Sequence, residues 1–129
     1  MNYADTPRIL IVEDDPAMRD LLELALKQQF VPPFELKIAQ NGLEALDIIQ
    51  EQPPALIILD ILLPQMNGLQ LLQQIQDYPN RSDIRVVIIS ALGVREVVQQ
   101  AIDGGANDFI VKPFDMDTFI ARVQAVLRG

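Results

Sequence analysis

The sequence predicts an α/β domain in which a doubly wound, five-stranded parallel sheet carries five helices spread over both faces. Three observations lead there. Five short runs rich in Val, Ile and Leu alternate strictly with five stretches of helical periodicity, and such alternation in a short chain gives parallel strands joined by right-handed crossovers. Several of the runs are continuously apolar, as strands covered on both faces are. Half of the 129 residues are hydrophobic but only 5 % are aromatic and none is Trp, so aliphatic side chains must supply the core. Residues 1–129 read as one domain, without repeat, low-complexity tract or linker, and are enough to bury about two-thirds of the unfolded surface.

The first strand is expected at residues 8–12 (RILIV). An acidic run, Glu13 to Asp15, follows it, and Pro16 opens a helix in which Met18, Leu21, Leu22 and Ala25 recur at helical spacing. Asp15, directly before that proline, is placed to cap the helix. Pro32 and Pro33 break the chain before a second strand at residues 34–39, and Asn41-Gly42 punctuates the start of the second helix. The third strand, residues 56–59 (LIIL), runs into Asp60, and the fourth, residues 86–89 (VVII), into Ser90. Val94, Val97, Val98, Ala101 and Ile102 form the next helical stripe, closed by Gly104-Gly105, the residue type a left-handed C-cap prefers. The fifth strand, residues 109–111, runs into Lys112, and Phe119, Ile120, Val123 and Leu127 make the final stripe.

Composition removes several classes of function. A formal net charge of −8 argues against direct binding of nucleic acid or an anionic membrane by this domain, since both need clustered Lys and Arg. With no Cys there is no disulfide framework, thiolate nucleophile or zinc-thiolate site. With no His there is no Ser-His-Asp triad, no His-ligated metal and no phosphohistidine carrier. The opening MNYADTPRIL lacks the apolar core of a signal peptide, and no apolar run approaches the length of a membrane span. The expectation is a soluble, cytoplasmic protein.

What remains is a set of polar residues at the carboxyl ends of apolar strands, where an open parallel sheet places its site. In the flavodoxin-like strand order 2-1-3-4-5 the first and third strands are neighbours at the topological switch point, so the acidic run and Asp60 face one another. Carboxylates about 4 Å apart repel by roughly 4 kcal/mol at an effective dielectric near 20. A hard divalent cation and the Lys112 ammonium would relieve that repulsion. Mg²⁺ takes carboxylates, a carbonyl, waters and a phosphate oxygen, with Asp14 and Asp60 as direct ligands, Glu13 acting through water and the Leu62 backbone carbonyl as a further contributor. Asp60 interrupts an apolar stretch, where an unpaired carboxylate is costly. Its functional reading is the nucleophile of a phosphoryl transfer, forming a mixed anhydride, while the Ser90 hydroxyl and Lys112 ammonium hold phosphoryl oxygens. Pro113 pushes Lys112 toward an extended backbone and admits a cis bond. Phe109 reads equally as a core aromatic and as a rotamer switch.

LIVEDD, LDILLPQMNG, VVIISA and GANDFIVKPF, in that order over nearly the whole chain, resemble the receiver domain of bacterial response regulators. The resemblance implies Asp60 as phosphoacceptor, Glu13 and Asp14 as Mg²⁺ holders, Ser90 and Lys112 as phosphoryl contacts, and Phe109 as a reporter that turns inward. It also implies a partner, a sensor histidine kinase or phosphotransfer protein, as donor. ANDFIVKPFD followed by FIARVQAVLRG is most similar to receivers of the winged-helix transcription-factor branch. Those receivers pair through the face made by the fourth helix, fifth strand and fifth helix, so a homodimer through that face is implied, with Asp108 and Arg122 as its acid–Arg contact. Asn107 and Thr118 stand where acidic residues are usual, Ser90 replaces the usual threonine and Phe109 the frequent tyrosine. Two other readings use the same residues: a haloacid-dehalogenase-like phosphatase, whose Asp-x-Asp is missing because Ile61-Leu62 follow Asp60, and a pseudo-receiver that is never phosphorylated.

Overall fold

The computed structural model describes residues 7–29 and 33–128. Its five strands are β1 (Arg8–Val12), β2 (Glu35–Ala39), β3 (Leu56–Asp60), β4 (Arg85–Ser90) and β5 (Asp108–Val111), all parallel and in the order β2-β1-β3-β4-β5. The helices are α1 (Pro16–Gln29), α2 (Gly42–Glu51), α3 (Gly68–Ile75), α4 (Arg95–Asp103) and α5 (Met116–Arg128), with a short 3₁₀ turn at Arg81–Asp83. The expected architecture is therefore present, with shifted strand ends. β2 begins at Glu35 instead of Phe34, and Asp60 and Ser90 are the last residues of their strands, held in the ladder opposite Ile89 and Val111. Pro32 lies outside the described residues.

The central strands alternate their side chains between two aliphatic layers. Leu10, Val12, Ile57, Leu59, Val86 and Ile88 pack with α2, α3 and Ala101 of α4, whereas Ile9, Ile11, Leu56, Ile58, Val87 and Ile89 pack with α1 and α5. β2, an edge strand, is mostly exposed except at Ala39.

Helix ends follow local chemistry. The Asp15 side chain accepts the Ala17 amide at 3.1 Å, as expected of the cap of α1. Asn41 caps α2 and Asn67 caps α3, each accepting the amide three residues on at 2.9 Å, and in α3 the Gln70 side chain returns a bond to the cap amide. α4 ends in a Schellman turn, with Gly105 at φ +104° and the Ala106 amide on the Ala101 carbonyl. That turn is also gripped from outside: Gln76 donates to the Gly104 carbonyl and Arg81 to the Gly105 carbonyl at 2.8 Å. The other end of α4, at Val94, has no side-chain cap.

Candidate functional site

The switch point between β1 and β3 lies at the carboxyl edge of the sheet, where Glu13, Asp14, Asp60 and Lys112 converge, with Ser90 ending the strand beside β3. Glu13, one step past β1, is 1 % exposed, and Asp60, closing β3, is 4 % exposed. Lys112, one step past β5, reaches over β4's end to both, its Nζ lying 2.9 Å from Glu13 Oε1 and 2.9 Å from Asp60 Oδ2. The buried carboxylates are thus compensated as burial requires. Asp60 Oδ1 also accepts the Leu62 amide at 3.0 Å, and Glu13 Oε2 accepts the Asp15 amide at 3.2 Å. Ser90 is fully buried, with its Oγ accepting the Leu92 amide at 3.1 Å. The Lys112–Pro113 bond is cis.

Electrostatics follow from this crowding. Burial pushes the Glu13 carboxyl above its ordinary value, and the nearby Asp60 charge adds to the rise, while the hydrogen bonds from Lys112 and the Asp15 amide oppose it. For Lys112, burial alone would act downward, but the hydrogen bonds to Asp60 and Glu13 outweigh it and hold the ammonium above its ordinary value. The site accordingly keeps one firmly held cation among three acids.

Glu13, Asp14 and Asp60 each offer an oxygen, and these oxygens lie within 4.8 Å of one another. An all-oxygen, anionic donor set of this size fits a hard cation such as Mg²⁺. Asp14 is exposed, so its oxygens face water at the mouth of the site.

The loop from Ile61 to Asn67 frames the site's other side. It folds back on itself through Leu63 N to Ile61 O at 3.0 Å, Met66 N to Pro64 O at 2.7 Å and Gly68 N to Ile61 O at 2.9 Å. Gln65 sits at φ 67°, a left-handed conformation uncommon for a side-chain-bearing residue.

Phe109 is 8 % exposed and packs in the layer with Ile88 and Ala101, so its ring lies turned inward in this structure. Asp108 and Arg122, the expected acid–Arg pair, meet within the chain at 3.5 Å, and Arg122 also donates to the Phe109 carbonyl at 2.9 Å. The Asn107 side chain accepts the Val86 amide at 2.8 Å, at the start of the β4–β5 pairing. The sequence named the Lys112 ammonium as counter-charge to the acids and assigned Glu13 a role through water; in the structure Glu13 is itself bonded directly to Lys112. Sequence reasoning missed the amides of Leu62 and Leu92 altogether, because backbone groups leave no residue-type signal.

A fold of this order with three acids, a hydroxyl and a lysine at its switch point defines a phosphoryl-receiving signalling domain. The chain belongs to the response regulator receiver domain family, whose model matches residues 9–124. It is 36 % identical over 122 residues to the DNA-binding dual master transcriptional regulator RpaA of a Synechocystis strain, covering 95 % of this chain and 49 % of that protein. It is 37 % identical over 121 residues to the transcriptional regulatory protein KdpE of Staphylococcus aureus, covering 94 % of this chain and 50 % of the relative. A response regulator receiver domain protein from Methanospirillum hungatei superposes with a TM-score of 0.84 at 26 % identity, covering 96 % of this chain and 95 % of that one. The chain spans about half the length of the curated relatives it matches. Membership makes the domain a phosphorylation-activated switch of two-component signalling and displaces the phosphatase alternative. Among the described residues no helix is long and apolar enough to cross a membrane.

Proposed function

We propose that this domain accepts a phosphoryl group on Asp60 from the phosphohistidine of a sensor kinase or phosphotransfer protein. The observation that carries the reading is Lys112 Nζ at 2.9 Å from both Glu13 and Asp60, beside a third acid at the mouth. An Asp60 carboxylate oxygen attacks phosphorus, the bond from phosphorus to the donor imidazole nitrogen breaks, and a mixed anhydride forms on the aspartate while the imidazole takes up a proton. Glu13, Asp14, Asp60 and the Leu62 carbonyl would hold Mg²⁺, which supplies the positive charge that lets an anionic donor approach. Lys112 then turns from carboxylate to phosphoryl oxygen, and the Ser90 hydroxyl, at the end of the neighbouring strand, donates to another.

Ser90 and Phe109 act as the switch, relaying the phosphorylated state to the face of α4, β5 and α5. Opening the Asp108–Arg122 pair would free both for a partner copy, which makes this face the homodimer surface. The chain works as a signalling phosphoacceptor in the cytoplasm, with no enzymatic turnover beyond its own phosphorylation and slow dephosphorylation, and residues 1–129 are the receiver unit. Relatives named as transcriptional regulators support an output in gene expression by the whole protein, with any DNA contact made outside this domain.

The test is labelling with acetyl phosphate and Mg²⁺ followed by intact-mass analysis. One phosphoryl group should appear, map to Asp60 and vanish in Asp60→Asn. A label that survives in that variant, or maps to Ser90, would overturn the assignment.

A further inference from the structure

Both asparagine-capped helices begin with a glycine, and both glycines press on the segment that carries Asp60. Asn41-Gly42 opens α2 and Asn67-Gly68 opens α3, and both glycines are buried. A Cβ on Gly68 would lie 2.4 Å from the Asp60 carbonyl oxygen, so α3 abuts the nucleophile's own backbone. A Cβ on Gly42 would lie 2.7 Å from Met66 Cβ and 2.8 Å from the Met66 carbonyl oxygen, both parts of the loop that leaves Asp60. These separations are far inside van der Waals contact, and a backbone oxygen cannot swing aside as a side-chain tip can. The loop between Ile61 and Asn67 is thus gripped between two helix starts, each fixed by its own cap.

We propose that Gly42 is a positioning residue for Asp60: the bare first turn of α2 seats the Ile61–Asn67 loop, and thereby aims the Leu62 amide at Asp60 Oδ1. This rests on Asp60 being the phosphoacceptor. The physical reason lies in the loop's internal bonds. Met66 N binds Pro64 O, and Leu63 N and Gly68 N both bind Ile61 O, so a push on Met66 travels to Leu62 through a closed set of hydrogen bonds instead of being absorbed. Among the described residues, the Leu62 amide at 3.0 Å is one of two hydrogen-bond partners of the Asp60 carboxylate, the other being Lys112. Helix propensity points the other way, since alanine is favoured over glycine within a helix by up to about 1 kcal/mol. A loss on adding one methyl group at 42 therefore reports the loop.

The experiment compares wild type, Gly42→Ala, Met66→Ala and Asp47→Gly. Asp47 is exposed on α2, outside the buried layer that Met66 packs against, so Asp47→Gly weakens the helix without removing a buried contact of the loop. Amide NMR of the unphosphorylated chains should show the Leu62 resonance moved in Gly42→Ala and Met66→Ala but not in Asp47→Gly. Asp60 labelling by acetyl phosphate at a temperature where all are folded should slow about tenfold in Gly42→Ala, and severalfold in Met66→Ala, where the grip is loosened from the other side. Asp47→Gly should keep the wild-type rate. An unmoved Leu62 amide and an unchanged rate in Gly42→Ala overturn the proposal, as does a loss matched by Asp47→Gly. If Gly42→Ala does not fold, Met66→Ala decides alone by the same two readouts. Wild type that takes no label at Asp60 overturns the phosphoacceptor reading instead, while the Leu62 resonance still tests the grip.

Discussion

Replacing Lys112 with methionine isolates the charge balance of the site. The Nζ lies 2.9 Å from two carboxylates whose side chains are 1 % and 6 % exposed. At an effective dielectric near 20, each contact represents a gross attraction of roughly 6 kcal/mol, and the two acids left behind, with oxygens within 4.8 Å of each other, would repel by at least roughly 3 kcal/mol. Desolvation of the ammonium, 18 % exposed, offsets much of the attraction. Removing one partner of a buried pair costs about 3 to 5 kcal/mol, and partial exposure places this case near 3. Lys112→Met should therefore lose about 3 kcal/mol at pH 7 without divalent cation, measured by urea unfolding with a common m-value. Glu13→Gln should be less harmful in that background than alone, giving a coupling of at least about 2 kcal/mol in the double-mutant cycle. Added Mg²⁺ should restore more stability to Lys112→Met than it adds to wild type, because it replaces the missing countercharge. Additive losses, or a Lys112→Met variant within about 0.5 kcal/mol of wild type, where ordinary surface changes fall, would refute the argument that the ammonium holds the two acids together.

Two further expectations concern lifetime and pH. Leu62 and Leu92, 52 % and 37 % exposed at the rim, offer no side-chain hydrogen bond to an attacking water, so Leu62→Asn with Leu92→Glu should speed phosphate loss about tenfold, or about 1.4 kcal/mol of barrier; an unchanged decay of the labelled mass would show that water placement there does not set the lifetime. Asp115, accepting the Thr118 amide at 2.7 Å, is held by that bond and by the Thr118 side chain below its ordinary 3.8. A lowered folded value means its contribution is present above about pH 3.8 and is lost as pH falls through the folded value. The urea midpoint of wild type relative to Asp115→Asn should then fall on acidification below that pH, and a constant difference would count against the cap.

Much of this was legible because strand ends are marked twice, by an apolar run and by the polar residue that stops it. Asp60, Ser90 and Lys112 needed no more than that, and the parallel order brought them together. The edge of β2 was less legible: Phe34 continues the apolar pattern, but pairing with β1 starts at Glu35, opposite Arg8, where an ion pair closes the register. Asn107 stands where an acid is usual and is exposed, yet its side chain also accepts the Val86 amide, a structural role that residue type alone does not announce. Gly42 was legible as punctuation only. Its pressure on Met66 depends on how two loops distant in sequence are stacked, and neither loop contains that information by itself.

The tethering of α4 has a mechanical corollary. With Gln76 and Arg81 bound to the carbonyls of Gly104 and Gly105, and no side-chain cap at Val94 among the described residues, the C-terminal turn is the more firmly bonded end of α4 and the natural pivot for a tilt. Nine residues make an arm of about 13 Å at 1.5 Å per residue, so a tilt of roughly 10° carries the free end about 2 Å. The free end is the one that follows Ser90, and the fulcrum belongs to the opposite edge of the sheet. A displacement at the site that tilted α4 about this turn would be largest near Val94, and the residues that hold the pivot, Gln76 and Arg81, belong to the opposite edge of the sheet from the chemistry.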